Sequence, residues 1–208
     1  MELAPIIVFG FNRPKALMNT INSLLTNKEA KDSDLYVFID GARPEKEGES
    51  NQVKAVQEYV KSIEGFKKIS YSFSSKNKGL ASSIIDGINS VIYEYGKAIV
   101  VEDDLELMPN FLSFMNQGLI FYENKKDVMS ICGHSCKVKV PLDYSYDAYF
   151  FTRSSSWGWG TWSNRWSSVD WHLKDWNSVE RNKKAFIKSQ GSDVFKMLKD
   201  WKNGKNHS

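Results

Sequence analysis

No apolar run in this 208-residue chain is long enough to span a bilayer, and its first ten residues, MELAPIIVFG, lack the basic start and cleavage site of a signal peptide. The expected location is therefore cytoplasmic. Charge of one sign is scarce as well. The 28 Lys and Arg offset 25 Asp and Glu for a formal net charge of +3, too balanced to argue for nucleic acid as a partner. Only two cysteines are present, Cys132 and Cys136. His134 between them suggests a metal site, but structural zinc needs four ligands and no usual partner pair is present. Both are expected to be reduced, mostly buried thiols. The loops after the strands contain neither a P-loop nor a GxGxxG turn, which argues against a kinase-like or nicotinamide-dependent enzyme. Internal repeats and low-complexity tracts are absent too.

What is present is ordinary for a globular domain, with 41% hydrophobic and 25% charged residues. A chain of this length buries roughly 70% of its unfolded surface, enough for one sizeable core without disulfides. Apolar periodicity predicts strands at Pro5 to Phe11, Leu35 to Ile39, Lys68 to Ser74 and Lys97 to Val101. Helices are expected between them. The first opens at Arg13-Pro14 and carries Leu17, Ile21, Leu24 and Leu25 on one face. The second spans about Asn51 to Ile63 after a polar loop, Ala42 to Ser50. The third follows Asn77-Lys78-Gly79 and closes at Gly96 as a cap. This βαβαβαβ order implies an α/β fold with a mostly parallel sheet and right-handed crossovers.

The run Ala98-Ile-Val-Val-Glu102-Asp103-Asp104 carries the most information: an apolar strand ends abruptly in three acids, then come Pro109 and an amphipathic helix. A solvated acidic turn would read the same way in isolation. Following a strand with the pattern of a buried one, the triplet instead suggests a site that needs a cation or many donors. A hard divalent metal supplies that charge, and a diphosphate often completes its coordination shell. In an open α/β sheet the carboxyl ends of neighbouring strands face one crevice, so Gly10 to Arg13, Asp40-Gly41, Asn77 to Gly79 and Glu102 to Asp104 are expected to share it. There Asp40 can accept hydrogen bonds from a base or ribose, or simply make a turn before glycine. Arg13 and Lys78 can neutralise phosphates, or be ordinary surface charges.

The segment VVEDDLELMPNFLSF resembles the metal-binding strand and following helix of GT-A (Rossmann-like) glycosyltransferases, above all the N-acetylglucosaminyltransferase I type, in which the aspartate-x-aspartate motif appears as Glu-Asp-Asp. PIIVFGFNRP, FIDG and NKGLASSIIDGI resemble the donor-binding elements of the same superfamily, in the same order, and the likeness covers roughly the first 160 residues. The resemblance implies that Asp104 ligates Mn²⁺ or Mg²⁺, which holds the diphosphate of a nucleotide-sugar donor. Glu102 and Asp103 would contact sugar or ribose, and Asp40 the uracil. Asn12 and Arg13 would line the nucleotide edge, with Lys78 and Gly79 completing the donor set.

All seven tryptophans follow residue 156, six of them between Trp157 and Trp176. Alternating Trp157-Gly158-Trp159-Gly160 suits stacking on a sugar, whereas a plug between the sheet and a C-terminal helical layer is the other reading, assigned to Trp162 and Trp166. By the resemblance this segment supplies acceptor contacts, so Trp157, Trp159 and Arg153 are the acceptor-side candidates. An inverting transfer needs a carboxylate base. Asp200, before Trp201, suits the family's description of that base, ahead of Asp170 and Asp175.

The resulting expectation is one metal-dependent glycosyltransferase domain over residues 1–208, truncated at its C-terminus, with a nucleotide-sugar-binding half (1–107) and a Trp-rich acceptor-side half (108–208). It would move a hexosyl or N-acetylhexosaminyl group from a UDP-sugar to a carbohydrate or lipid-linked glycan, with inversion, and the base would lie either at Asp200 or beyond residue 208. His172 to Ser208 holds nine Lys or Arg against four Asp or Glu. That is either an ordinary exposed helix or a peripheral contact with an anionic membrane's inner face, in the setting of bacterial surface-polysaccharide assembly. A nucleotidyltransferase and a non-catalytic carbohydrate-binding module are the alternatives.

Overall fold

The computed structural model describes residues 2–135 and 138–205, so Cys136 lies outside the described residues. Its sheet is built from short β-branched runs. Strands β1 (Ile6–Gly10) and β4 (Lys97–Glu102) are buried almost throughout, the pattern of central parallel strands covered on both faces. Strand β2 (Asp34–Ile39) alternates half-buried and buried positions, and β3 (Lys68–Phe73) forms an edge. Helix α1 (Pro14–Leu25) starts at proline and buries Leu17, Ile21 and Leu24. Helix α2 (Glu49–Lys61) begins two residues earlier than the periodicity predicts. Helix α3 (Leu80–Tyr95) ends at Gly96 in the left-handed region, and the Gly96 N–H donates to Ile92 O at 2.8 Å, as a glycine cap should.

The strand order is β3-β2-β1-β4-β6-β5, with β1, β2, β3 and β4 parallel. The chain steps outward from β1 through β2 to β3, then returns through α3 to β4 on the other side of β1. That reversal puts the ligand-binding crevice of an open α/β sheet at the carboxyl ends of β1 and β4.

Two further strands correct the expectation of four. Strands β5 (Ile131–Cys132) and β6 (Trp159–Trp162) follow helix α4 (Phe111–Phe121), and β6 runs antiparallel to both β4 and β5. WGTW is too short, and too poor in β-branched residues, to announce a strand. Its glycine serves close packing: a Cβ on Gly160 would lie 3.0 Å from Ala98 O and 3.2 Å from Leu119 and Met115. Trp162 and Trp166 are buried, but against different helices from those expected. Trp162 Nε1 donates to Leu119 O of α4 at 2.9 Å. Trp166, at the end of the short helix α5 (Ser163–Trp166), donates to Asn89 Oδ1 of α3 at 2.8 Å.

The chain forms two compact units, one of Met1–His134 with Ser155–Ser167, the other of Ser135–Ser154 with Ser168–Ser208. The second contains α6 (Trp176–Arg181), α7 (Lys183–Gln190) and α8 (Ser192–Lys202), where Phe195 packs on Trp176 and Phe186. Among the described residues no helix is long and apolar enough to cross a membrane.

Candidate functional site

Phe9 of β1 and Glu102 of β4 are register partners, so the residues leaving the two strands emerge side by side. The β1–α1 loop grips the acidic triplet. Phe11 N–H donates to Asp103 Oδ2 at 3.4 Å, the Arg13 guanidinium makes a very short contact with Asp103 Oδ1, and Arg13 Nη1 reaches Asp104 Oδ2 at 2.9 Å. Asp103 is buried, whereas the Asp104 side chain is 49% exposed. One guanidinium thus bonds two carboxyl groups, and its charge also acts on the third, Glu102. Burial holds the Asp103 carboxyl above its usual range despite the Arg13 contact. Burial also raises Glu102, helped by the charge of Asp104 and opposed by a hydrogen bond with Ser156.

These upward shifts have a stability sign. A carboxyl whose pKa is higher in the folded than in the unfolded state binds more protons when folded, so stability falls as pH rises from the ordinary carboxylate range through the raised value. Above that window the loss is constant. Glu102→Gln is therefore expected to stabilise the protein near neutral pH by on the order of 1 kcal/mol, roughly 2–4 °C in Tm. Melts of both proteins near neutral pH and at about pH 4 check it. The gain should shrink in acid, and a pH-independent gain would contradict the assignment.

The other wall forms at the end of β2. Buried Asp40 accepts hydrogen bonds from the backbone N–H of Gly41 (2.9 Å), Lys78 (2.9 and 3.1 Å) and Gly79 (2.9 Å), while Asn77 Nδ2 donates to Gly41 O at 2.8 Å. The β2 end and the loop before α3 are thereby clamped together. Gly41 is required because a Cβ there would stand 2.5–2.8 Å from Lys76 backbone atoms, and Gly79 because its φ is +79°. Lys78 Nζ pairs with Asp86 at 2.8 Å in an exposed bridge. Asn12 Nδ2 donates to Glu49 Oε1 at 3.2 Å. Asn12, Arg13, Asp40, Lys78, Gly79, Glu102, Asp103 and Asp104 therefore gather along the carboxyl edge of β1, β2 and β4.

Two residues here escape sequence reasoning. Glu49, the first residue of α2, is buried and accepts from Arg43 N–H at 2.7 Å, from Arg43 Nε and Nη2, and from Asn12. The Arg43 guanidinium sits 5.4 Å from the centre of the Phe11 ring. Hydrogen bonds from Arg43 hold the Glu49 carboxyl below its usual range. In sequence both belong to a polar loop, ARPEKEGES, with nothing to distinguish one acid from another.

Of the residues expected to meet an acceptor, Trp157 is more than half exposed, its ring 4.5 Å from that of His134. Trp159 is half-buried on β6, with its ring 6.0 Å from Trp166. Cys132 is half-buried, and its Sγ accepts from the Ser155 N–H at 3.4 Å. Four candidates belong to the second unit. Arg153 forms an ion pair with Asp193, Asp200 is half-buried on α8, and Asp175 stands at the N-terminal boundary of α6 without a side-chain capping bond. Asp170, also in this unit, accepts from the backbone N–H of His172 and Lys174, a turn-forming role.

Among the described residues no group of three or more His, Cys, Asp or Glu is arranged to hold a metal ion by itself. The donor set fits a different kind of cation site. Mg²⁺-like ions commonly take one or two carboxylates and complete their shell with substrate phosphates and water. Asp104, hard, anionic and half-exposed beside Arg13, suits that arrangement.

No curated protein matches the sequence. Among solved structures, the mannosyltransferase PcManGT from Pyrobaculum calidifontis, in complex with GDP-Man and Mn²⁺, is 13% identical and superposes with a TM-score of 0.51 over 77% of this chain and 44% of its own. S. aureus TarS is 16% identical, with a TM-score of 0.42 over 59% of this chain and 20% of its own. The chain thus spans less than half the length of either. The likeness to PcManGT places the six-stranded, mostly parallel sheet and its helices in the α/β fold of GT-A type. The sequence model of the GNT-I family matches residues 1–197, from before β1 into α8, and with nearly the whole chain inside that match the protein belongs to the GNT-I family.

Proposed function

We propose that the chain is a metal-dependent glycosyltransferase domain that binds a nucleoside-diphosphate sugar at the carboxyl edge of β1, β2 and β4. The observation that carries this reading is the grip of Arg13 on Asp103 and Asp104, one guanidinium bonded to two carboxyl groups at the topological switch point. Membership of the GNT-I family supports it, and so does the fold shared with a mannosyltransferase that holds GDP-Man and Mn²⁺.

Asp104 is the proposed protein ligand of Mn²⁺ or Mg²⁺. When bound, the ion supplies Lewis-acid stabilisation of the leaving diphosphate. Arg13 stays within reach of the same phosphates, and Glu102 and Asp103 face the sugar or ribose. The clamp made by Asp40 with Lys78 and Gly79 shapes the edge where the base is placed. Trp157 offers an exposed ring to a glycan acceptor, with Trp159 and Arg153 as the further acceptor candidates. Inverting transfer requires a carboxylate to take the proton of the attacking hydroxyl, and Asp200 on α8 is the candidate for it. The donor is read as a UDP-sugar. Excess positive charge in the last 37 residues motivates peripheral contact with an anionic membrane, where a lipid-linked acceptor would lie.

Calorimetric titration of UDP, with GDP and CDP as controls, in the presence and absence of Mn²⁺ tests this reading. One nucleotide should bind, and only with the metal. A folded protein that binds none of the three would refute the donor site.

A further inference from the structure

We infer that Arg43, held in place by buried Glu49, is a nucleobase-stacking residue of the donor site; this deepens the nucleotide-sugar reading and rests on it. Strand order fixes where the nucleoside must go. The diphosphate belongs at Asp104, beyond the end of β4, and β2 lies on the far side of β1 from β4. A nucleoside extending from that diphosphate across the crevice passes the β1–α1 loop and arrives over the loop that follows β2, where Arg43 is found.

Arg43 has the preparation such a role needs. Its Nε and Nη2 are engaged by the Glu49 carboxylate, and the guanidinium packs toward the Phe11 ring. Still, 40% of its side chain is exposed. Two anchors on a flexible side chain fix the guanidinium plane before a ligand arrives, which lowers the ordering cost of binding. A planar guanidinium stacks on aromatic rings, and a nucleobase offers a π-face of the same kind. Glu49 also holds Asn12, the neighbour of Arg13. A single buried carboxylate thus positions the β2–α2 loop and the β1–α1 loop together. Glu49 is in this sense a positioning residue and Arg43 the one that touches the donor.

The test compares two probes in the presence of Mn²⁺: the nucleoside diphosphate that the wild type binds, and inorganic pyrophosphate, which has no base. Arg43→Ala, a change at a half-exposed loop position, should weaken nucleotide binding by about 10–30-fold and leave pyrophosphate binding unchanged. Glu49→Gln should weaken the nucleotide by a smaller factor, about 3–10-fold. Arg43→Lys keeps the charge without the planar fork and should not restore affinity. Nucleotide affinity unchanged in Arg43→Ala, an equal loss for pyrophosphate, or full affinity in Arg43→Lys would each overturn the inference. Wild-type protein that binds pyrophosphate but no nucleotide would instead refute the donor reading on which it rests.

Discussion

Asp104→Ala is expected to fold as the wild type does and to lose more than about 100-fold in Mn²⁺-dependent nucleotide affinity. Stability should survive because the Asp104 side chain is half exposed and its bond with Arg13 is a surface ion pair, typically worth about 0–1 kcal/mol. The variant even relieves a repulsion, since the charge of Asp104 is among the causes that raise the Glu102 carboxyl. Its Tm near neutral pH should therefore equal or slightly exceed that of the wild type. Binding should collapse because Asp104 is the proposed protein ligand of the ion, the half-exposed carboxylate of the acidic triplet. Calorimetry and a thermal melt on the same preparation check both halves. Wild-type affinity in the alanine variant would move the metal elsewhere, and a large fall in Tm would make Asp104 structural.

The sequence was most legible where one physical pattern dominates. Strands β1 and β4 are unbroken apolar runs because both faces of a central parallel strand are covered, and the acidic triplet marks the point where β4 leaves that cover. Proline at the start of α1 and glycine at the end of α3 mark boundaries that the backbone confirms. Legibility failed where a residue's role is set by a partner far away in sequence. Nothing in ARPEKEGES reveals that Glu49, rather than Glu45 or Glu47, turns inward to bind Asn12 and Arg43; that follows only from the placement of the β1–α1 loop. Asp40 precedes a glycine, like any turn aspartate, yet it ties down a loop 38 residues away. The tryptophan run was legible as unusual but not as a strand, because β6 is specified by its pairing with β4 and by the close packing of Leu119 and Met115 over Gly160.

Trp162→Ala should be the most destabilising single truncation in that run, costing about 3–5 kcal/mol, or on the order of 10 °C in Tm for a chain of this size. Trp162 is 2% exposed and packs in the main core with Leu119 and Met115 of α4. Its indole N–H bonds Leu119 O, and the Arg165 guanidinium lies 4.3 Å from its ring. Removing the ring opens a cavity and also takes the aromatic face from a buried cation, since Arg165 is itself 4% exposed and is held at Tyr122 O and Glu123 O. Trp157→Ala is the matched control. With more than half of its surface already in water, that ring should cost well under about 1 kcal/mol. The gap between the two melts separates the core tryptophans from those available to a ligand, and equal losses would contradict the burial assigned to them. The effect should also reach the site. Trp162 pairs with Lys97 at the start of β4, and Trp159 pairs with Val100, two residues before Glu102, so loosening β6 frees the edge of the strand that delivers the acids. Nucleotide affinity in Trp162→Ala should therefore fall even at temperatures where the protein remains folded, whereas Trp157→Ala should leave it intact.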